Sequence, residues 1–174
     1  SSVIIMAIVV RFLLLDLRSD SKVIDSENIA YKKLFMTRSH ILSTLAQWGR
    51  YLEKDLPYQE ALWQQAKAEN GWFTLESIEQ ASRAILEHIL QEEALQQWLE
   101  RYSDRPHPSK AKTIGLVLAG NLPLVGFHDV LSVLASGHRA QVKLSSKDKV
   151  LLPYWLERLA EIDRQLADRV QLVE

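Results

Sequence analysis

"AGNLPLVGFHDVLSVLASGHRAQVKLSSKDK", residues 119–149, decides how this chain is read. It opens at the end of a short apolar run and breaks at Gly120-Asn121-Leu122-Pro123. It then continues almost wholly apolar to Ser136, and re-emerges past Gly137 in a second run that ends at Lys143 and two serines. Residues 113–119 (TIGLVLA) have the length and composition of a strand buried on both faces of a parallel sheet. Residues 124–136 are long enough for a helix that closes with Gly137 at C′, and residues 140–144 read as the next strand. Strand, crossover helix and strand make a right-handed βαβ unit. A helix over residues 150–165 and a strand over residues 170–173 repeat the scheme. Three strands with two crossovers are half of a usual doubly wound sheet, so the expectation is an α/β fold cut in mid-domain.

Upstream the period is helical. Ile41, Leu42, Leu45, Trp48 and Leu52 recur at helical spacing, Pro57 marks a break, and a second helix runs through Glu69 to a stop at Asn70-Gly71. Thr74 suits an N-cap with Glu76 in the first turn, and Leu75, Ile78, Ile85, Ile89 and Leu90 form one apolar face. A shorter helix follows over residues 92–102. Residues 36–103 thus read as a helical lead-in, residues 103–112 with two prolines as a linker, and residues 112–174 as a partial nucleotide-binding domain. Residues 1–35 are set apart as an extension of uncertain origin, since Met36 opens a stretch resembling a natural start. The apolar run at residues 3–15 is of signal-peptide length but is interrupted by Arg11 and too short to span a bilayer, so a membrane location is not expected.

The 174 residues carry 21 basic and 22 acidic side chains without long blocks of either sign, which removes the electrostatic case for a nucleic-acid partner. An apolar share of 47% is enough for a real core. The chain has no cysteine, which excludes disulfides, thiolate zinc sites and a thiol nucleophile within these residues, and fits a cytoplasmic setting. His40, His88, His107 and His138 lack metal-ligand spacing and read as surface or cap residues, so no metal is expected. The tryptophans fall mostly on helical apolar faces and read as core.

In parallel α/β sheets ligands gather at the carboxyl ends of the strands, where this chain places Gly120, Asn121, Lys143, Ser145 and Ser146. Gly120 permits close backbone approach, and Pro123 suits a first helical turn. Asn121 offers a carboxamide donor to an oxygen gaining charge. Lys143 supplies a cation for ribose hydroxyls or a phosphate, and the serines add neutral donors. Without a G-x-G-x-x-G or Walker A motif, spacing alone leaves Asn121 equally open to being a turn residue and favours a solvated charge for Lys143. His128 and Asp129, in the first turns of the crossover helix, suggest an acid-base pair but suit a packed histidine and a dipole-stabilised carboxylate better.

The run "IGLVLAGNLPLVGFHDVLSVLASGHRAQVKLSSKDKVLLP" resembles the acyl-CoA reductases related to the fatty acid reductase of bacterial luminescence, a branch of the aldehyde dehydrogenase superfamily. The likeness extends less specifically through "NGWFTLESIEQASRAI" and "DRVQLVE". It implies that residues 112–174 are the first βαβαβ half of a Rossmann-like aldehyde dehydrogenase cofactor domain. Asn121 would then help form the oxyanion hole, and Lys143 would touch the adenosine ribose. Ser145 and Ser146 stand where NAD-preferring members carry Pro-Ser/Ala-Glu, so the carboxylate that holds two ribose hydroxyls is missing. That loss, with Lys147 or Lys149 nearby in sequence, favours NADP.

The implied activity is NADPH-dependent reduction of an acyl-CoA or other fatty acyl thioester to the aldehyde. It runs through a cysteine acyl-enzyme whose nucleophile lies outside this fragment, which alone would be inactive. A homo-oligomer or an acyl-transfer partner subunit is compatible with that reading. The rival readings are a non-catalytic nucleotide-binding or interaction module and, within the enzyme class, a reductase of acyl phosphates.

Overall fold

The structure, a computed structural model that describes residues 36–102, 108 and 110–174, turns the change of period into a change of architecture. The apolar run at residues 3–15, His107 and most of the expected linker lie outside the described residues. Four helices come first: α1 (Arg38–Asp55), α2 (Glu60–Glu69), α3 (Leu75–His88) and α4 (Glu92–Glu100), with a 3-10 turn, Leu56–Tyr58, between α1 and α2. β1 (Thr113–Val117), α5 (Phe127–Ala135), β2 (Arg139–Lys143), α6 (Leu151–Ile162), α7 (Arg164–Ala167) and β3 (Val170–Val173) follow. Among the described residues the result is an α/β chain with seven helices and a three-stranded parallel sheet in the order β1-β2-β3.

Local chemistry sets the helix starts. The Thr37 hydroxyl accepts from the His40 N–H (3.1 Å) and caps α1. At α3 the Thr74 hydroxyl accepts from the Ser77 N–H while the Ser77 hydroxyl accepts from the Thr74 N–H, both at 3.0 Å, in a reciprocal capping box. Pro57 lies in the 3-10 turn at the break between α1 and α2.

Both crossovers step the same way across the sheet, and right-handed connections that do so bring their helices to one face. Ala140 and Val142 on that face are sealed, whereas Gly115, Gln141 and Lys143 are exposed on the other and Val117 is 83% exposed. The expectation of a β1 buried on both faces is therefore overturned. The strand order does not reverse within these residues, and a reversal is what carries crossover helices to the second face.

The covered side is continuous with the helical lead-in. Trp48 of α1, Phe127 of α5 and Trp155 of α6 form a cluster in which Phe127 lies 5.4 Å from each tryptophan ring. The Trp48 indole N–H donates to the Trp155 carbonyl (2.9 Å), so the polar edge of a fully buried ring is satisfied inside the core.

Four further expectations are corrected by the structure. The crossover helix starts at Phe127 instead of residue 124, because Leu124 adopts φ 56° in a turn that Pro123 precedes. The helix expected over residues 150–165 divides at Asp163, whose backbone is extended (φ −149°) and whose carboxylate caps α7 by accepting from the Leu166 N–H (3.0 Å). The same carboxylate pairs with the His40 ring (2.6 Å) and accepts from the Thr44 hydroxyl (3.2 Å), tying α1 to the break. His138 is no surface residue: it is 1% exposed, and its Nδ1 accepts from the Lys112 N–H (3.2 Å). Trp72, in turn, is 68% exposed and not core.

Candidate functional site

β1 and β2 pair with Val117 opposite Lys143, and the Leu118 N–H extends the ladder by donating to the Lys143 carbonyl (3.0 Å). The chain therefore leaves both strands side by side. Residues 119–126 form a loop after β1, and residues 144–150 a turn after β2.

Gly120 is buried where the two meet. A Cβ on it would stand 2.6 Å from the Ser145 Cβ and 3.3 Å from the Lys147 Cβ, so any larger residue would force loop and turn apart. Asn121, the next residue, is exposed, and among the described residues its carboxamide makes no hydrogen bond. Lys143 is exposed on the open face of the sheet beside Val117. The Ser145 hydroxyl accepts from the Lys147 N–H (3.2 Å), and Ser146 is exposed in the same turn. The fold thus brings Gly120 and Ser145 into contact and puts Asn121, Lys143 and Ser146 on the same end of the sheet with their side chains in solvent.

Two residues outside the expected set organise this edge. Asn70, at the end of α2 and 5% exposed, donates through Nδ2 to the Gly120 carbonyl (3.1 Å) and to the Lys147 carbonyl (2.9 Å). Its oxygen accepts from the Trp72 N–H (3.0 Å). Asp148, 7% exposed, accepts through Oδ2 from the Leu124 N–H (3.1 Å), while its Oδ1 finds no partner among the described residues. Burial, only partly offset by the N–H groups of Leu124 and Leu151, pushes its carboxyl up to about 6.

Sequence patterning reads Asn70-Gly71 as a helix stop and cannot show which carbonyls 50 and 77 residues away the side chain reaches. For Asp148 sequence patterning offers no such signal, since it reads as a charge between Lys147 and Lys149 and the N-cap position of α6 belongs to Val150.

The electrostatics of the edge follow from these placements. Asp148 turns inward, so the side chains exposed by the turn are neutral or basic: Ser146, Lys147 and Lys149, beside Lys143. Lys147 is engaged as well, its Nζ 4.3 Å from the centre of the Trp72 ring. An amide, hydroxyls and ammonium groups without a facing carboxylate suit anionic or electron-rich oxygens. His128 and Asp129 do not add an acid-base pair to this set. They make no hydrogen bond to one another, and burial pushes the imidazole down and the carboxyl up.

A hollow of about 200 Å³ lined by Ile89, Trp98 and Leu131, and another along α3 lined by Glu76, Arg83 and His88, contain none of the strand-end residues. No three His, Asp or Glu side chains among the described residues converge as a metal would need, and no helix among them is long and apolar enough to cross a membrane.

Residues 40–174 are similar to one protein family, whose model is described as acyl-CoA reductase (LuxC). No curated protein and no solved structure matches the chain.

Proposed function

Because the chain belongs to the acyl-CoA reductase (LuxC) family, we propose that it supplies the cofactor edge and an oxyanion donor for the NADPH-dependent reduction of a fatty acyl thioester to the aldehyde. The observation that carries this reading is the unbonded, exposed carboxamide of Asn121 on a loop packed against the end of the neighbouring strand. When a nucleophile adds to the thioester carbon, the carbonyl oxygen gains negative charge, and a donor already in place stabilises it without reorganising. Asn121 is that donor. The nucleophile is a cysteine from outside these residues, since the chain contains none, and it carries the acyl group between the two half-reactions.

The edge suits a phosphorylated nicotinamide dinucleotide. Lys143 is available to the ribose, Ser145 and Ser146 can donate to ribose or phosphate oxygens, and Lys149 adds positive charge. The one carboxylate in the turn, Asp148, is buried and would not repel a 2′-phosphate. The dinucleotide, when bound, supplies the hydride. A parallel sheet in the order β1-β2-β3 with its crossovers on one face supports the reading of residues 112–174 as half of a Rossmann-like, aldehyde dehydrogenase-type domain.

The test uses the complete enzyme, assayed for aldehyde formation from a long-chain acyl-CoA. Asn121→Ala should lower turnover roughly 10²-fold or more, and unchanged turnover would reduce Asn121 to a turn residue. For the cofactor, Ser146→Glu should turn a preference for NADPH into one for NADH. A parent enzyme that already prefers NADH would end the NADP assignment.

A further inference from the structure

Asn121 stands between two fixed points. One residue before it, the Gly120 carbonyl accepts from Asn70 Nδ2 at 3.1 Å; three residues after it, the Leu124 N–H donates to Asp148 Oδ2 at 3.1 Å. Both anchors also belong to the turn after β2. Asn70 Nδ2 donates to the Lys147 carbonyl at 2.9 Å, and Asp148 sits in the turn, its own N–H on the Ser145 carbonyl at 3.2 Å.

Both anchors are buried away from solvent. Asn70 is buried and uses both faces of its carboxamide: the nitrogen on carbonyls of two different loops, the oxygen on the Trp72 N–H. Asp148 is equally buried. At the second anchor Leu124 has φ 56°, a left-handed backbone that a bulky side chain avoids unless its surroundings over-determine it. Here the Asp148 carboxylate holds its N–H and the core holds its side chain, which is 1% exposed.

We propose that Asn70 and Asp148 are positioning residues, a two-point clamp that fixes residues 120–124 against the turn after β2 and so sets where Asn121 presents its N–H. The clamp rests on the reading of Asn121 as the oxyanion donor. Its purpose follows from geometry: such a donor works only within about 2.7–3.1 Å of the developing charge. A displacement of about 1 Å can cost on the order of 10²-fold in rate. A five-residue segment whose Asn121 stands in solvent would not hold that tolerance without fixed ends.

A double-mutant cycle in the complete enzyme tests it, with long-chain acyl-CoA and NADPH as substrates. Asn70→Asp is isosteric, keeps the acceptor for the Trp72 N–H and removes both donors. It should lower kcat about 10- to 100-fold with KM for acyl-CoA within about twofold of the parent. In an Asn121→Ala background the same change should cost less than about twofold, because the group it positions is gone. Losses that multiply in full would overturn the clamp and assign Asn70 to general stability. If Asn121→Ala alone leaves turnover intact, the oxyanion reading fails first and takes the clamp with it.

Should Asn70→Asp not fold, Asp148 carries the same cycle from the other anchor. Asp148→Asn keeps an acceptor for the Leu124 N–H and should stay near the parent, while Asp148→Ala should fall as Asn70→Asp does. Equal turnover in both Asp148 variants would overturn the proposal.

Discussion

The two faces of the sheet are made from alternate residues of the same strands, yet only one of them is a core. On the covered face Ala140 and Val142 pack beneath the crossover helices, next to the Trp48–Phe127–Trp155 cluster. On the other, Val117 and Lys143 stand side by side in solvent. In β2 the alternation RAQVK follows burial residue by residue, but β1 reads TIGLV and its composition does not separate the faces. Connectivity does: two crossovers step in one direction, and with the right hand usual for such units they cover one face. Residue type records what a strand can tolerate on each side, and the order of strands decides which side is filled.

The covered face should break first and hardest. Trp155→Ala removes a ring that contacts Phe127, leaves the Trp48 indole over a cavity, and should cost about 4 kcal/mol in denaturant unfolding. A loss below about 1 kcal/mol would mean that the aromatic cluster does not join the two regions.

Asp148, behind the strand ends, should come next, with a characteristic sign. Its carboxyl is harder to ionise in the fold than in the unfolded chain, so the stability it lends below about pH 4 is lost as pH rises through about 6. The change amounts to roughly 3 kcal/mol at most. Asp148→Asn removes this dependence, so the parent should lose stability relative to the variant between about pH 4 and pH 7. A gap between the two that stays constant with pH would show that the carboxyl titrates normally.

Asp163 has the opposite sign. Burial works against its charge, but the Leu166 N–H, the His40 ring and the Thr44 hydroxyl outweigh it and hold the carboxyl below its ordinary value. Its contribution is present above about pH 4 and is lost as pH falls through the lower folded value. Asp163→Ala should cost about 2 kcal/mol near neutral pH, as the α7 cap and the tie to α1 go together, and a thermal melt would show it.

The open face should hardly respond. Val117→Thr should change unfolding by less than about 0.5 kcal/mol; a loss of core size would show that something covers this face.

Much of this arrangement was legible in the residues themselves. Helical spacing from Ile41 to Leu52, the Asn70-Gly71 stop, the Thr74 cap and the strand-loop-helix-strand of residues 113–143 all depend on neighbours close in sequence, and the elements formed there. The positions of Gly120, Asn121, Lys143 and Ser145 at one end of the sheet followed from parallel topology. What stayed hidden depends on distant partners. Asp148 reads as a solvated charge between two lysines and becomes buried because Leu124 comes to it across the loop. Asn70 reads as punctuation, and His138 as a surface residue, until β1 and the loops arrive beside them. Leu124 fits a helix by type and is kept out of one by its bond to that same aspartate.

The hydrogen bond from Trp48 to Trp155 spans 107 residues, and this has a bearing on biosynthesis. At about 5–20 residues per second, α1 is complete on the ribosome on the order of 5 to 20 s before α6 exists to receive its indole. Through that interval the apolar stripe of the nascent helix has no partner from the later half, which makes the unfinished chain a natural client for a chaperone that shields exposed apolar segments during translation.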